Sequence, residues 1–244
     1  LHSENILLLA EGHCLADQTM DVCHLSDRQV AGELADLRAS SLETLLQLVQ
    51  HDRETWKFPV VTIRDRPRYP WRGLMIDACR HWIPKEVIMR NLDGMAAVKM
   101  NVLHWHLSEY QGFRVESKVF PKLHKLGSDG LYYTQEEIRE IVSYAAERHI
   151  TVVPEIEMPG HSSAAIAAYS WLGTSKEEIE VPIRFGVGTD VYDVSDPRVY
   201  QFLTDVLDEV MDLAFARERF EAVFLLVVAG FALLLAGIGL YGIV

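Results

Sequence analysis

Apolar positions along the chain follow two periods, and their alternation predicts the architecture. "SLETLLQLVQ" places Leu42, Leu45, Leu46 and Val49 at helical spacing behind Ser41, a residue suited to an N-cap. "FPVVTIRD" then reads as a short strand, and the Pro-punctuated "RDRPRYPW" as a connection between a small leading domain and the next. From there a rhythm sets in. "RGLMIDA", "NVLHWHL" and "ITVVPEIEM" are short apolar runs, as expected of strands covered on both faces. Between and after them lie helical patterns. "PKEVIMRNLDGMAAVKM" carries Pro84 in its first turn and Val87, Ile88, Met95 and Val98 as apolar positions. "TQEEIREIVSYAAERH" joins a Thr134/Glu137 capping box to a face of Ile138, Ile141, Val142 and Ala145. "DPRVYQFLTDVLDEVMDLAF" has Asp196 as cap and Pro197 in the first turn. Strand–helix repetition of this kind implies parallel strands joined by right-handed crossovers. A doubly wound sheet and a (β/α)8 barrel both fit the pattern.

Composition narrows the function classes. A formal net charge of −12 excludes a general nucleic-acid surface, which needs clustered Lys and Arg. Cys14, Cys23 and Cys79 have no metal-type spacing and read as buried thiols, with a Cys14–Cys23 bridge as the alternative. "NILLLA" near the start is too short for the apolar region of a secretion signal and has no basic lead.

Polar residues gather where the strands end. His104 and His106 are two apart, so an extended strand points both to one face; Glu109 lies just beyond. Glu155 and Glu157 share a face in the same way, and His161 follows a Pro-Gly turn. Arg72 and Asp77 bracket the first strand. In a parallel α/β fold, side chains just past the carboxyl ends of the strands meet in one crevice. His106, Glu109, Glu157 and His161 are therefore expected to be neighbours. Against this stand plainer readings: His104 as a core histidine, Glu155 as a structural carboxylate, and Trp71, Trp82 and Trp105 as packing residues. Paired histidines with a carboxylate also suit zinc. A metal-dependent hydrolase using His104, His106, His161 and Glu157 is thus a lesser alternative, although the main reading calls for neither metal nor cofactor.

The stretch from "YPWRGLMIDACRHW" through "NVLHWHLSEYQGFRVESKVFPKL" to "VVPEIEMPGHSSAA" resembles the catalytic domain of family-20 glycoside hydrolases, the β-N-acetylhexosaminidases. The resemblance runs from about Val60 to about Phe215. It implies the first three βα units of a (β/α)8 TIM-type barrel. It also implies retaining, substrate-assisted removal of terminal N-acetylhexosamine from glycans or chitooligosaccharides, a chemistry outside the two-carboxylate scheme. On the same resemblance Arg72 matches the arginine that holds the terminal sugar's hydroxyls, and His161 the histidine of the Pro-Gly-His motif. Glu109 stands where the family has the first Asp of an Asp-Asp-Gln run, which here reads Glu-Tyr-Gln. The family's acid/base pair, an Asp-Glu dipeptide after a Gly-Gly turn, is not found, so impaired catalysis is expected.

Beyond Phe215 the pattern changes again. Val223–Val244 holds 22 residues without a charge. At about 1.5 Å per residue a helix of that length crosses a hydrocarbon core of about 30 Å. "ARERFEAVFLLVVAGFALLLAGIGLYGIV" resembles a membrane helix of bacterial ABC-transporter permeases of the macrolide-export type. The expected organisation is a partial N-terminal α/β domain over 1–59, a truncated barrel over 60–215 and a permease-like transmembrane segment over 216–244. The chain would then be membrane-associated through the bilayer. The alternative to an enzyme is a membrane-anchored, non-catalytic fusion.

Overall fold

A computed structural model of the chain describes residues 43–51, 56–57, 59–63, 65–184, 186, 188 and 190–214. Helix α1 spans 43–48 and is followed by a two-residue hairpin of β1 (Gln50–His51) and β2 (Trp56–Lys57). No strand forms over 59–63, although "FPVVTIRD" reads as one. Val60, Val61 and Ile63 are exposed, and among the described residues no strand lies beside the run to complete its hydrogen bonds.

The three strands of the α/β rhythm are all present: β3 (Gly73–Asp77), β4 (Val102–His106) and β7 (Thr151–Glu155). They form one sheet in the order β3-β4-β7. The sheet is parallel. Arg72 O accepts from Asn101 N before β3 and β4, and Ala78 N donates to His106 O at their far ends. Thr151 N to Asn101 O and Leu107 N to Glu155 O bracket β4 and β7 in the same sense. Between β4 and β7 lie a second hairpin, β5 (Ser108–Glu109) with β6 (Gly112–Phe113), and a short helix α3 (Lys122–Leu126).

Helix α2 (Lys85–Ala97) leaves β3, and α4 (Gln135–Ala146) leads into β7. The α4 capping box is made as the pattern predicts. Thr134 N donates to Glu137 Oε2 at 2.9 Å, and Glu137 N donates to Thr134 Oγ1 at 3.2 Å. Its Ile138, Ile141 and Ala145 are buried. On α2 the buried positions are Ile88, Leu92 and Met95. Val98 lies past the helix end and is exposed, a correction that follows from the helix stopping at Ala97. Helix α5 (Ser163–Ala168) follows β7, and α6 covers 197–214. Asp196 Oδ1 caps α6 by accepting from Arg198 N at 3.0 Å.

The chain divides into two compact units. The first takes in residues up to Leu74, Arg90–Leu103 and Ala145–Thr151; the second takes in Met75–Met89, His104–Tyr144 and Val152 onward. In the second unit Trp105 and Tyr133 are fully buried, with ring centroids 4.6 Å apart, and Trp82 packs on Tyr133 at 4.5 Å. Trp82 and Trp105 are thus packing residues, whereas Trp71, in the first unit, is exposed. Among the described residues no helix is long and apolar enough to cross a membrane. The segment Val223–Val244, expected to do so, lies outside the described residues, as do Cys14 and Cys23.

Candidate active site

Every side chain of the site described here belongs to the second unit. The β5–β6 hairpin sets Glu109 opposite Gly112, just before a two-residue turn. That turn is pinned from beneath by Arg114. Its Nη1 donates to Ser128 O and Leu131 O, and its Nη2 to Cys79 O and Gln111 O. Burial pushes the Arg114 guanidinium pKa down. A Cβ at position 112 would run into the Arg114 guanidinium, so any larger residue there requires that side chain to move.

The Glu109 carboxylate is fully buried and held on both oxygens. Oε1 accepts from Tyr110 N at 3.0 Å and lies 2.6 Å from His161 Nδ1. Oε2 accepts from Arg80 Nη2 at 2.8 Å. His106 Nε2 lies 3.2 Å from the same oxygen but outside hydrogen-bonding geometry, and is buried with no hydrogen-bond partner among the described residues. The other nitrogen, His106 Nδ1, lies 2.7 Å from Glu155 Oε2, and His104 Nε2 meets that same oxygen at 2.7 Å. Two histidines on one face of β4 therefore share one carboxylate of the neighbouring strand. His104 is partly exposed rather than a core residue, and its partner is Glu155, not backbone.

His161 stands on the loop after β7. Its backbone is in the left-handed region (φ 54°), which histidine tolerates better than most residues. The loop is tied down by Glu157 N to Ser108 Oγ, Tyr192 N to Pro159 O and Ser162 Oγ to Pro159 O. The Tyr110 ring stacks on the imidazole, with centroids 4.8 Å apart and planes 22° apart. The His161 side chain is 46% exposed, whereas Glu109 behind it is at 0%. A histidine in that setting can present Nε2 outward while Nδ1 is held by the carboxylate.

Asp77, at the end of β3, accepts from Cys79 N, Arg80 N and Arg80 Nη1, the last at 2.6 Å. Burial pushes its carboxyl up, but the Arg80 side chain and the two backbone N–H groups outweigh that and hold it below the usual range. Sequence reading singled out neither Arg80 nor its contacts. The contact with Glu109 links residues 29 positions apart, and only the fold reveals it.

Three groups have ligand-type atoms within 4.8 Å of one another: Asp77/Cys79/His106, His106/Glu155/Glu157 and Glu109/Glu157/His161. Arg80 already supplies the positive charge between Asp77 and Glu109. Burial, with Asp77 beside it, pushes the Cys79 thiol up.

Arg72 belongs to the first unit. Its guanidinium donates from Nε to Lys99 O and from Nη1 to Tyr69 O and Pro70 O. An Asp-Glu dipeptide does occur in the chain, Asp208–Glu209, but in the middle of α6 with no Gly-Gly turn before it. Glu209 accepts from Ser117 Oγ, Lys118 N and Gln135 Nε2, which makes it a tether between α6 and the loop before α3.

Comparison with known proteins places this geometry. The family model for the glycosyl hydrolase family 20 catalytic domain matches residues 69–221. A beta-hexosaminidase of Porphyromonas gingivalis is 42% identical over 200 residues, covering 75% of this chain and 26% of its own length. One from Vibrio furnissii is 40% identical over 189 residues, covering 70% of this chain and 31% of its own. Among solved structures, a Flavobacterium johnsoniae chitobiase superposes with a TM-score of 0.69 at 52% identity, over 74% of this chain and 27% of that one. A β-N-acetylhexosaminidase of Streptomyces coelicolor gives 0.67 at 35%, over 72% and 38%. The chain thus spans about a quarter to a third of the curated relatives' length. With parallel strand–helix units, a Glu109–His161 pair beyond their ends and a family match over most of its length, the chain belongs to glycosyl hydrolase family 20.

Proposed function

We propose that the chain is the opening part of a β-N-acetylhexosaminidase catalytic barrel, its described α/β portion being the first three strand–helix units. The reaction is removal of a terminal N-acetylhexosamine from a glycan or chitooligosaccharide. The sugar's acetamido oxygen attacks the anomeric carbon with retention of configuration. One observation carries the reading: His161, exposed and backed by buried Glu109 at 2.6 Å within the matched region. Such a pair fixes an imidazole at the edge of a reacting centre, where it can hold or relay a proton. Arg72 matches the family's sugar-holding arginine by resemblance alone; its guanidinium already donates to Lys99 O, Tyr69 O and Pro70 O. The 244 residues contain no Asp-Glu pair after a Gly-Gly turn, so the chain by itself turns over slowly. The test is hydrolysis of a chromogenic N-acetylglucosaminide by the purified chain. The expected result is a rate near background. Turnover abolished by His161→Ala would show that a proton donor already lies within these residues.

A second reading concerns the tail. The 22 uncharged residues of Val223–Val244 support a bilayer anchor and a membrane-associated chain. Deleting them should move the protein from the membrane fraction to the soluble one. A chain that stays soluble with the tail present would remove the anchor.

A further inference from the structure

The turn between β6 and α3 meets a buried titratable group that lies outside the cluster around Glu109 and His161. Ser117 and His124 are both buried. Ser117 joins two helices of the second unit. Its backbone N–H donates to His124 Nδ1, on α3, at 3.2 Å. Its Oγ donates to Glu209 Oε2, on α6, at 2.6 Å, and accepts from Phe120 N at 2.9 Å. Lys118 N donates to the other oxygen of Glu209 at 2.7 Å. The Phe120 ring rides on this turn, 4.7 Å from the Phe202 ring of α6. We propose that residues 117–121 form a proton-operated latch: a proton added at His124 Nδ1 releases Ser117 N and parts the turn from α3, while Glu209 keeps it on α6.

Proton and hydrogen bond exclude each other because they use one lone pair. An imidazole that accepts at Nδ1 is neutral and carries its proton on Nε2. A second proton can enter only at Nδ1, where Ser117 N already points. Two donors would then face each other 3.2 Å apart. The charged groups that act on His124 are Glu116 from the turn, Lys125 from α3 and Glu209 from α6; the Tyr132 ring packs against it at 4.6 Å. Each of the two carboxylates already accepts from other donors. Glu209 Oε2 holds Ser117 Oγ, its Oε1 holds Lys118 N and Gln135 Nε2, and Glu116 Oε2 holds Gln135 N. A buried donor without an acceptor is costly, and a turn that opens to water relieves that cost on both sides of the broken bond. Burial, helped by Lys125, opposes the charge on His124, so the latch stays shut above pH 6.5 and opens as pH falls below it.

The latch stands apart from the hydrolytic reading, and its test needs no turnover. Hydrogen–deuterium exchange of the full chain is followed at single amides across a series from about pH 7.5 to about pH 5. Each rate is expressed relative to the intrinsic rate at that pH, since exchange itself slows in acid. Protection of Ser117 N should fall by about tenfold across the series, the factor that one hydrogen bond carries. Lys118 N, bonded to Glu209, should keep its protection. His124→Asn offers an oxygen to Ser117 N and takes up no proton, so Ser117 should be equally protected at both ends of the series. Three results overturn the latch: no change at Ser117 in the parent chain, a fall that persists in His124→Asn, or a fall that Lys118 shares equally, which is general loosening. If His124→Asn does not fold, Glu209→Gln decides. That variant keeps an oxygen for the turn but removes a charge that favours the imidazolium, so the opening should move to lower pH. An unmoved midpoint refutes the latch.

Discussion

At the scale of single residues, burial decides which reactive groups are available. Cys79 is at 0% exposure, its thiol pKa raised by desolvation and by Asp77 beside it. Alkylation requires the thiolate and access to it. Cys79 should therefore resist iodoacetamide at about pH 8 in the folded chain and react fully once unfolded, as peptide mass spectrometry would show. Labelling of the native chain at Cys79 would mean that the end of β3 opens readily. The sequence carried part of this residue-level picture. His104 and His106 share a face because strand side chains alternate, and both reach Glu155. Arg80, Arg114 and Glu209 were not legible. Each acts on partners brought near by tertiary folding, and an arginine or glutamate on a helix or turn gives no local sign of whether it faces solvent or a buried acceptor.

Among elements, those whose signals are local were legible, and those that depend on a neighbour were not. The α4 capping box involves residues three apart and formed as expected. Thr134→Ala should cost about 1 kcal/mol, measured as a shift of the urea midpoint at unchanged slope. The run 59–63 is not a strand, and among the described residues no strand pairs with it; periodicity says nothing about partners. The β5–β6 hairpin gave no signal of its own, since its strands are two residues each and too short for a period to appear. The tether from α6 makes a further prediction. Glu209 accepts from Ser117, Lys118 and Gln135, and removing it leaves three donors to find other partners. Because the site is partly open to water, Glu209→Ala should cost about 2–3 kcal/mol, near the value for one charge-assisted bond. A loss below about 0.5 kcal/mol would show that water replaces the carboxylate without penalty.

At the scale of the whole molecule, parallel strands followed from three apolar runs alternating with helices, whereas their order β3-β4-β7 is seen only in the fold. The rest of a barrel could not follow, because three units do not fix closure. Stability should depend on pH through groups the fold has shifted. His124 is buried; burial lowers its pKa from 6.5, with Lys125 acting the same way and Glu116 and Glu209 opposing. The geometry agrees, since Ser117 N donates to His124 Nδ1, which must be unprotonated to accept. The unfolded chain therefore binds this proton more readily than the folded one. The stabilisation is complete above pH 6.5 and declines as pH falls from there toward the folded value. Asp77 acts lower. Its depressed pKa contributes stability above 3.8 that is lost only as pH falls through the folded value. The first acid-induced drop in melting temperature, between about pH 7.5 and about pH 5.5, should thus belong largely to His124. His124→Asn places an untitratable amide oxygen where it can accept from Ser117 N and should flatten that drop while leaving the fall below about pH 4 in place. If the variant loses as much on acidification as the parent chain, the proton is taken up elsewhere and the Ser117–His124 bond does not control acid stability.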